Sequence, residues 1–328
     1  MIEYADIRHV ELELSSHCNA RCPLCPRNLF GYTYNTGYIA KHLTLEEVKT
    51  ILPKDFLMQI EKITFEGNYG DPMMNPELLE IVEYLDKPVK IFSNASLQTE
   101  SFWQKLAQLN VEVYFALDGL VDTHSIYRQN TNFTKIINNA KTFIQAGGIA
   151  IWKMIVFDHN KHQIEDCKKL SKELRFNEFM SVDHGRNSGP VFDDSGNLIR
   201  VIGNFTGSTD LQHYIDVIDN GDMFIEDIWD KPKNKLNCKT IKNSSIYISS
   251  EGDVYPCCFM GFNPRKYGKG RWHQPVNKQI QKILQPNNAL EQSLEKCIEW
   301  FNNIPMCWKK PTFEEGRLIV CDANCGSN

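Results

Sequence analysis

Three cysteines, Cys18, Cys22 and Cys25, stand with three and then two residues between them in the run Ser-His-Cys-Asn-Ala-Arg-Cys-Pro-Leu-Cys-Pro. Thiols at that spacing can hold three corners of a cubane four-iron cluster, whose closed form takes four cysteines. No fourth cysteine lies nearby in sequence, so one iron stays open. An open coordination position separates a reactive metal site from a structural one. Zinc is the alternative ligand for these thiols, although structural zinc sites draw on paired cysteine halves and four protein ligands. A second cysteine set follows much later. Cys238 precedes thirteen residues, Gly252, four more residues and Cys257, and Cys321 and Cys325 come further on with three residues between them. Gly252 permits the tight turn that would bring Cys238 and Cys257 together.

Eleven cysteines in 328 residues would be an improbable disulfide framework for a chain of this size without a secretion signal. The opening Met-Ile-Glu-Tyr-Ala-Asp-Ile-Arg lacks the basic-then-apolar layout of such a signal. Metal ligation in a reducing cytoplasm is the expected use of the thiols. Cys167 shares an apolar helical stripe with Ile164, Leu170 and Leu174 and reads as core, as does Cys297 beside Leu294, Trp300 and Phe301. Cys258 is expected to face away from its neighbour Cys257, because adjacent strand residues point to opposite sides. No apolar run approaches the length of a membrane span. A net charge of -5 argues against a general nucleic-acid or anionic-membrane surface.

The elements that must position these thiols alternate. Strand patterns at 9–14, 62–66, 89–93, 111–117, 149–157 and 179–182 are separated by helical ones. Thr44 and Glu47 supply a capping box for the first helix, and Asn75-Pro76-Glu77 reads as the start of the next. Six strand–helix units predict an α/β fold with a parallel sheet, too few for a closed eight-stranded barrel. The expected architecture is a partial (β/α)6, TIM-like barrel with a small C-terminal cysteine-rich α+β domain. Function in such sheets gathers in loops at the carboxyl ends of strands, and the Cys18–Cys25 loop follows the first strand. The expected division is 1–190 for the core and 191–237 for a connecting region with one or two short helices. Residues 238–328 form the auxiliary domain, opened by a hairpin across Gly252.

The cysteine triad after the first strand of a (β/α)6 pattern resembles the radical S-adenosylmethionine (radical SAM) superfamily. Tyr69-Gly70-Asp71-Pro72 is similar to the family's Gly-Gly-Glu-Pro segment, which receives the amino group of SAM. Ser93-Asn94-Ala95 resembles its Thr-Asn-Gly segment near the nucleoside. Leu117-Asp118-Gly119, with His124 and Arg128, resembles its Ser-Leu-Asp-Gly…His…Arg stretch. From the residues alone, Asp71 and Asn94 also read as turn residues, and Asp118 with Arg128 as a surface pair. The resemblance implies a [4Fe-4S] cluster on Cys18, Cys22 and Cys25, with SAM as cofactor near Gly70, Asp71, Asn94, Asp118 and Arg128. It implies reductive cleavage of SAM to a 5′-deoxyadenosyl radical that abstracts hydrogen from a substrate.

The C-x13-G-x4-C pattern resembles the opening of SPASM and Twitch extensions. Because C-x2-C and C-x5-C are missing after residue 258, the shorter Twitch form is implied. It would carry one auxiliary [4Fe-4S] cluster on Cys238, Cys257, Cys321 and Cys325. Cys307 rivals one of these, and zinc on the same four remains an alternative. The implied partners are a peptide or small-molecule substrate and a flavodoxin- or ferredoxin-type reductant. Peptide or protein modification leads, a sugar or alcohol dehydrogenase follows, and a non-catalytic iron–sulfur electron carrier is the alternative of another class. Substrate contacts are expected from His184-Gly185-Arg186 and Asp158-His159-Asn160, and a covering loop from Asn28 to Lys41.

Overall fold

The computed structural model describes residues 2–33, 40–183, 188–220, 232–233, 235–262 and 274–327. Its strands, in chain order, are β1 (His9–Leu12), β2 (Lys62–Phe65), β3 (Val89–Ser93), β4 (Val111–Ala116), β5 (Ile149–Ile155) and β6 (Glu178–Val182). They continue with β7 (Gly189–Phe192), β8 (Leu198–Ile202), β9 (Lys235–Leu236), β10 (Ser245–Ile248), β11 (Val254–Tyr255) and β12 (Gly326–Ser327). The helix Leu45–Ile51 starts at the capping box expected from sequence: Thr44 Oγ1 accepts from Glu47 N, and Glu47 Oε2 accepts from Thr44 N at 2.9 Å. The helix Leu78–Leu85 begins later than Pro76. The Asn75 side chain accepts from Glu77 N at 2.8 Å, so it closes a turn ahead of the helix and does not cap it.

The chain forms two compact units, each discontinuous in sequence. One comprises Met1–Leu14, Asn35–Asn68 and Ile215–Asn328. Here β1 pairs in parallel with β2 and with β10, His9 lying opposite Lys62 and Ser245. Alternate residues Val10, Leu12, Ile63 and Phe65 are buried, the period of two that a pleated strand imposes, while β10 is buried continuously from Ile246 through Tyr247 to Ile248. The expected hairpin is present, with β10 antiparallel to β11 and Gly252 at a φ of +89° in its turn. It extends the β1 sheet. Further along, β9 pairs antiparallel with β12, and Asn237 N donates to Cys325 O at 2.9 Å.

The other unit comprises Ser15–Tyr34 and Tyr69–Tyr214. Its strands β3, β4, β5 and β6 pair successively in parallel. An aromatic core covers them, with Phe115 packed against Trp103 at 5.4 Å, Phe176 at 5.7 Å and Phe143 at 6.0 Å between ring centroids. Between β4 and β5 runs the helix Phe133–Gln145, capped by Asn132, whose side chain accepts from Lys135 N. The region read as a mere connection holds an antiparallel hairpin, β7 with β8. The strand–helix order from β1 to β6 defines a mixed α/β fold with parallel strands, of the partial (β/α)6, TIM-like type. Among the described residues no helix is long and apolar enough to cross a membrane.

Candidate metal centres

The Cys18–Cys25 loop is fixed by its own backbone and by three side chains. Cys25 N donates to Cys22 O at 2.9 Å, and Asn28 Nδ2 donates to the same carbonyl at 2.9 Å. Arg27 Nη1 donates to the carbonyls of Cys18 and Ala20 at 3.1 and 3.3 Å. Arg21 makes a two-pronged ion pair with Asp194, in the turn between β7 and β8, at 2.5 and 2.7 Å. Phe192 N donates to Phe30 O at 2.8 Å. Leu24, between two of the cysteines, is buried against Gly189, where any Cβ would crowd Leu24 and Phe30. The hairpin absent from the sequence reading therefore braces the cysteine loop.

The three thiols lie within each other's electrostatic reach. Burial pushes the Cys22 thiol up to about 11, against the pull of the Arg128 guanidinium. Cys18 is pushed up as well, by burial first and then by the nearby Asp71. Buried thiols that resist ionising are inert until a metal displaces the proton. Two N–H groups approach the sulfurs. Asn94 Nδ2 lies 3.7 Å from Cys18 Sγ and 2.9 Å from Asn19 Oδ1. Arg128 Nη1 lies 4.0 Å from Cys22 Sγ, while its Nε donates to Asp118 Oδ2 at 2.6 Å.

Asp118 and Arg128 are no surface pair. The Asp118 side chain is 0% exposed, and its Oδ1 accepts from Ile155 N at 2.6 Å, tying the end of β4 to β5. Burial is the largest influence on Arg128 and opposes its charge, but Asp118 and Cys22 more than offset it, leaving its pKa raised. His124 Nδ1 accepts from Asp118 N at 3.2 Å and Nε2 meets Thr131 Oγ1 at 3.0 Å. Burial lowers its pKa to about 4, so the ring is neutral, with its proton on Nε2.

Asp71 is also buried. Its Oδ1 accepts from Ser93 Oγ at 2.8 Å and Met73 N at 3.0 Å, and its Oδ2 from Asn94 N at 2.7 Å. Burial raises its pKa. Gly70 packs on the start of the cysteine loop, where an added Cβ would collide with the Ser15 carbonyl. Of the five residues expected around SAM, Asn94 and Arg128 thus approach cysteine sulfurs. Asp71 and Asp118 hold those two in place, and Gly70 makes room for the loop. Arg27 and Asn19 escaped the sequence reading; a cation two residues past the last cysteine was the available signal for Arg27. Among the weaker candidates, Asp158 pairs with Lys161 at 2.9 Å on the surface, and Asn160 closes its own loop onto Ile155 O and Phe157 N. His159 stacks on Phe157 at 5.1 Å, with a buried Nε2 that has no hydrogen-bond partner. His184, Gly185, Arg186 and residues 34–39 of the covering loop lie outside the described residues.

The second cysteine set lines a cavity of about 100 Å³ in the other unit. Cys238, Cys257, Cys258, Cys321 and Cys325 share its wall with Glu11 and Trp308. The sulfurs of Cys238, Cys257, Cys321 and Cys325 feel one another's charge, and burial pushes Cys257 up to about 12. The Gly252 turn and the β9–β12 pairing bring the four together. Cys258 also faces the cavity, contrary to the strand-based expectation, because residues 256–261 form bends and turns in which side-chain alternation does not hold. Its thiol meets the Glu11 carboxylate, which burial and Glu66 push up in pKa. Cys307 is absent from the wall; its thiol turns to Asn303 O at 3.6 Å along its own helix. Cys167 and Cys297 are fully buried, as core residues are. Among the described residues, no three His, Cys, Asp or Glu side chains gather as ligands of one metal ion.

Residues 12–170 match the Radical SAM superfamily profile. The chain is 22% identical over 278 residues to the tungsten-containing aldehyde ferredoxin oxidoreductase cofactor-modifying protein of Pyrococcus furiosus, spanning 81% of this chain and 75% of that protein. It is 27% identical over 277 residues to an uncharacterized protein of Methanocaldococcus jannaschii, spanning 76% and 85%. Its fold is similar to Streptococcus suis SuiB bound to S-adenosylmethionine, with a TM-score of 0.58 at 15% identity over 97% of this chain and 73% of that one. It is also similar to anSMEcpe with bound AdoMet and Cp18Cys peptide, with a TM-score of 0.56 at 17% identity over 97% and 88%. The resemblance to that superfamily implies a [4Fe-4S] cluster and SAM as an expectation to be tested against the residues. The donor set fits: three free thiols on one loop, Cys22 buried and Cys18 and Cys25 half-buried, with N–H groups approaching two of the sulfurs.

Proposed function

We propose that this chain is a radical SAM enzyme that modifies a peptide or protein, with a Twitch-type auxiliary [4Fe-4S] cluster on Cys238, Cys257, Cys321 and Cys325. The observation that carries the catalytic part is the convergence of Cys18, Cys22 and Cys25 with Asn94 and Arg128 approaching two of their sulfurs. When bound, the first cluster supplies the electron that splits SAM into methionine and a 5′-deoxyadenosyl radical. The protein's part is positional. Arg128 balances negative charge beside Cys22, Asn94 orients Cys18, and the Asp71 and Asp118 carboxylates hold both donors. Burial of Cys22, 7% exposed, keeps water from the ligands. Gly70, Asp71, Asn94, Asp118 and Arg128 also form the expected SAM neighbourhood.

Four cavity cysteines favour a closed auxiliary cluster that passes electrons, with a flavodoxin- or ferredoxin-type protein as reductant in an anaerobic cytoplasm. In this division of tasks, residues 1–190 act on SAM, 191–237 connect, and 238–328 carry the auxiliary site; the compact units cut across it, since β1 and β10 share one. The peptide assignment draws support from a solved structure of SuiB bound to precursor peptide SuiA and from anSMEcpe with Cp18Cys peptide, both similar in fold. A small-molecule substrate is the second reading, favoured by the cofactor-modifying name of the Pyrococcus relative.

Anaerobic protein given dithionite and SAM is expected to release 5′-deoxyadenosine, and Cys22→Ala none; an inactive parent with its iron intact would leave the electron-carrier reading. Size-fractionated cell extract then separates the substrates. Stimulation destroyed by protease supports a peptide, and protease-resistant stimulation in the smallest fraction supports the small molecule.

A further inference from the structure

The wall of the second cysteine cavity includes an indole whose polar edge is unused. Trp308 Nε1 is buried and has no hydrogen-bond partner, a state that buried donors rarely keep without a reason. The backbone around it is anchored. Arg317 Nη1 donates to Trp308 O at 2.9 Å, and Arg317 Nε pairs at 2.8 Å with Asp322 Oδ2, a carboxylate 1% exposed. Asp322 follows Cys321 directly, and its Oδ1 accepts from Lys233 N at 2.6 Å, next to β9. One arginine–aspartate pair therefore fixes both the segment bearing the indole and the helix bearing Cys321. The indole and Cys321 stand on the wall of the same cavity, so the unused N–H has the cysteine set as its neighbourhood.

We propose that Trp308 is a positioning residue for the auxiliary cluster, its N–H donating to Sγ of Cys321 once that thiolate ligates iron, and that this donor raises the cluster's reduction potential. The inference rests on the auxiliary-cluster reading above. Reduction adds negative charge to the cluster and its sulfurs, so a fixed donor stabilises the reduced form more than the oxidised one; hydrogen bonds to sulfur are among the determinants of such potentials. The indole is neutral, unlike the guanidinium of Arg128 beside Cys22, so it acts as a dipole without adding charge.

The test uses the whole chain, reconstituted anaerobically, with iron quantitation and an EPR-monitored redox titration. Trp308→Phe is expected to keep about eight irons per chain, as two four-iron clusters require. Its auxiliary midpoint should fall by the equivalent of a tenfold change in the reduced-to-oxidised ratio, about 59 mV for one electron. The midpoint of the Cys18–Cys22–Cys25 cluster should stay in place, and Trp308→His, which retains a ring N–H, should recover part of the fall. An unchanged auxiliary midpoint in iron-replete Trp308→Phe overturns the inference. About four irons in the parent protein would remove the auxiliary cluster itself, a different failure. Should Trp308→Phe lose iron, benzothienylalanine at position 308 keeps the ring shape while replacing N–H by sulfur; the same fall is expected, and no change overturns the inference.

Discussion

Asn94 and Arg128 are not ligands, yet each brings an N–H to a cysteine sulfur, and each is held by a buried carboxylate. Removing one partner of a buried pair leaves the other charge uncompensated. Arg128→Met should therefore destabilise the fold by about 3–5 kcal/mol, read from urea unfolding of the metal-free protein. Arg128→Lys is expected to recover little, because an ammonium cannot reach Asp118 and Cys22 with two arms of one planar fork. His124 gives a pH signature. Its pKa falls from 6.5 to about 4 on folding, so the unfolded chain binds the extra proton between those values. The stabilisation is complete above pH 6.5 and is lost as pH drops towards 4, on the order of 3 kcal/mol in all. Urea titrations across that window should show the slope, and His124→Gln should flatten it.

At the level of elements, the strand–helix order was legible because β1, β2 and β3 alternate in burial, β4 and β5 are mostly buried, and Thr44 and Glu47 spell out a cap. The β7–β8 hairpin was not. Four of the five residues of β8 are exposed although Leu198, Ile199 and Val201 are apolar, so the Leu-Ile-Arg-Val-Ile run lacks the alternation of a half-buried strand and sits in a stretch rich in Gly, Asp and Asn. The cysteine sets were legible from spacing, and Cys258 was misread because strand alternation was applied to a turn. Asp118 and Arg128 stood out by resemblance, but their burial and their link to Cys22 depend on contacts between distant elements. Trp308 carried no sequence signal at all: its relation to Cys321 depends on a pair, Arg317 and Asp322, that spacing does not reveal. The hairpin's role can be tested at Gly189, where a branched side chain would push on Leu24 and Phe30. Gly189→Val should lose the iron of the Cys18–Cys25 loop, about four of eight atoms. It should keep the absorption of the second site, as anaerobic iron assay and visible spectroscopy would show.

Across the whole chain, the two cysteine sites belong to different compact units and are stabilised by different means. The first is built on one short loop, so its ligands are close together before any metal arrives. The proposed second site would join Cys238 and Cys257 to Cys321 and Cys325 across a long stretch of chain, whose ends are otherwise tied by the two-residue strands β9 and β12 and by Lys233 with Asp322 and Arg317. A covalent link closing a loop of roughly ninety residues is worth about 4–5 kcal/mol in chain entropy, and an iron cluster bonded at both ends acts in the same way. Chelating the iron should thus make residues 235–327 the first to yield to limited proteolysis, ahead of the aromatic core around Phe115. Mass spectrometry of the fragments checks the order.

With the proposed auxiliary cluster in place, the weak pairing of β9 with β12 would tie the protein's lifespan to the air around it. A burst of oxygen that dissolved that cubane would unfasten the seam and open the chain to proteolysis. Damaged copies would then be recycled instead of lingering, and abundance after aeration would report on cluster integrity without any assay of turnover.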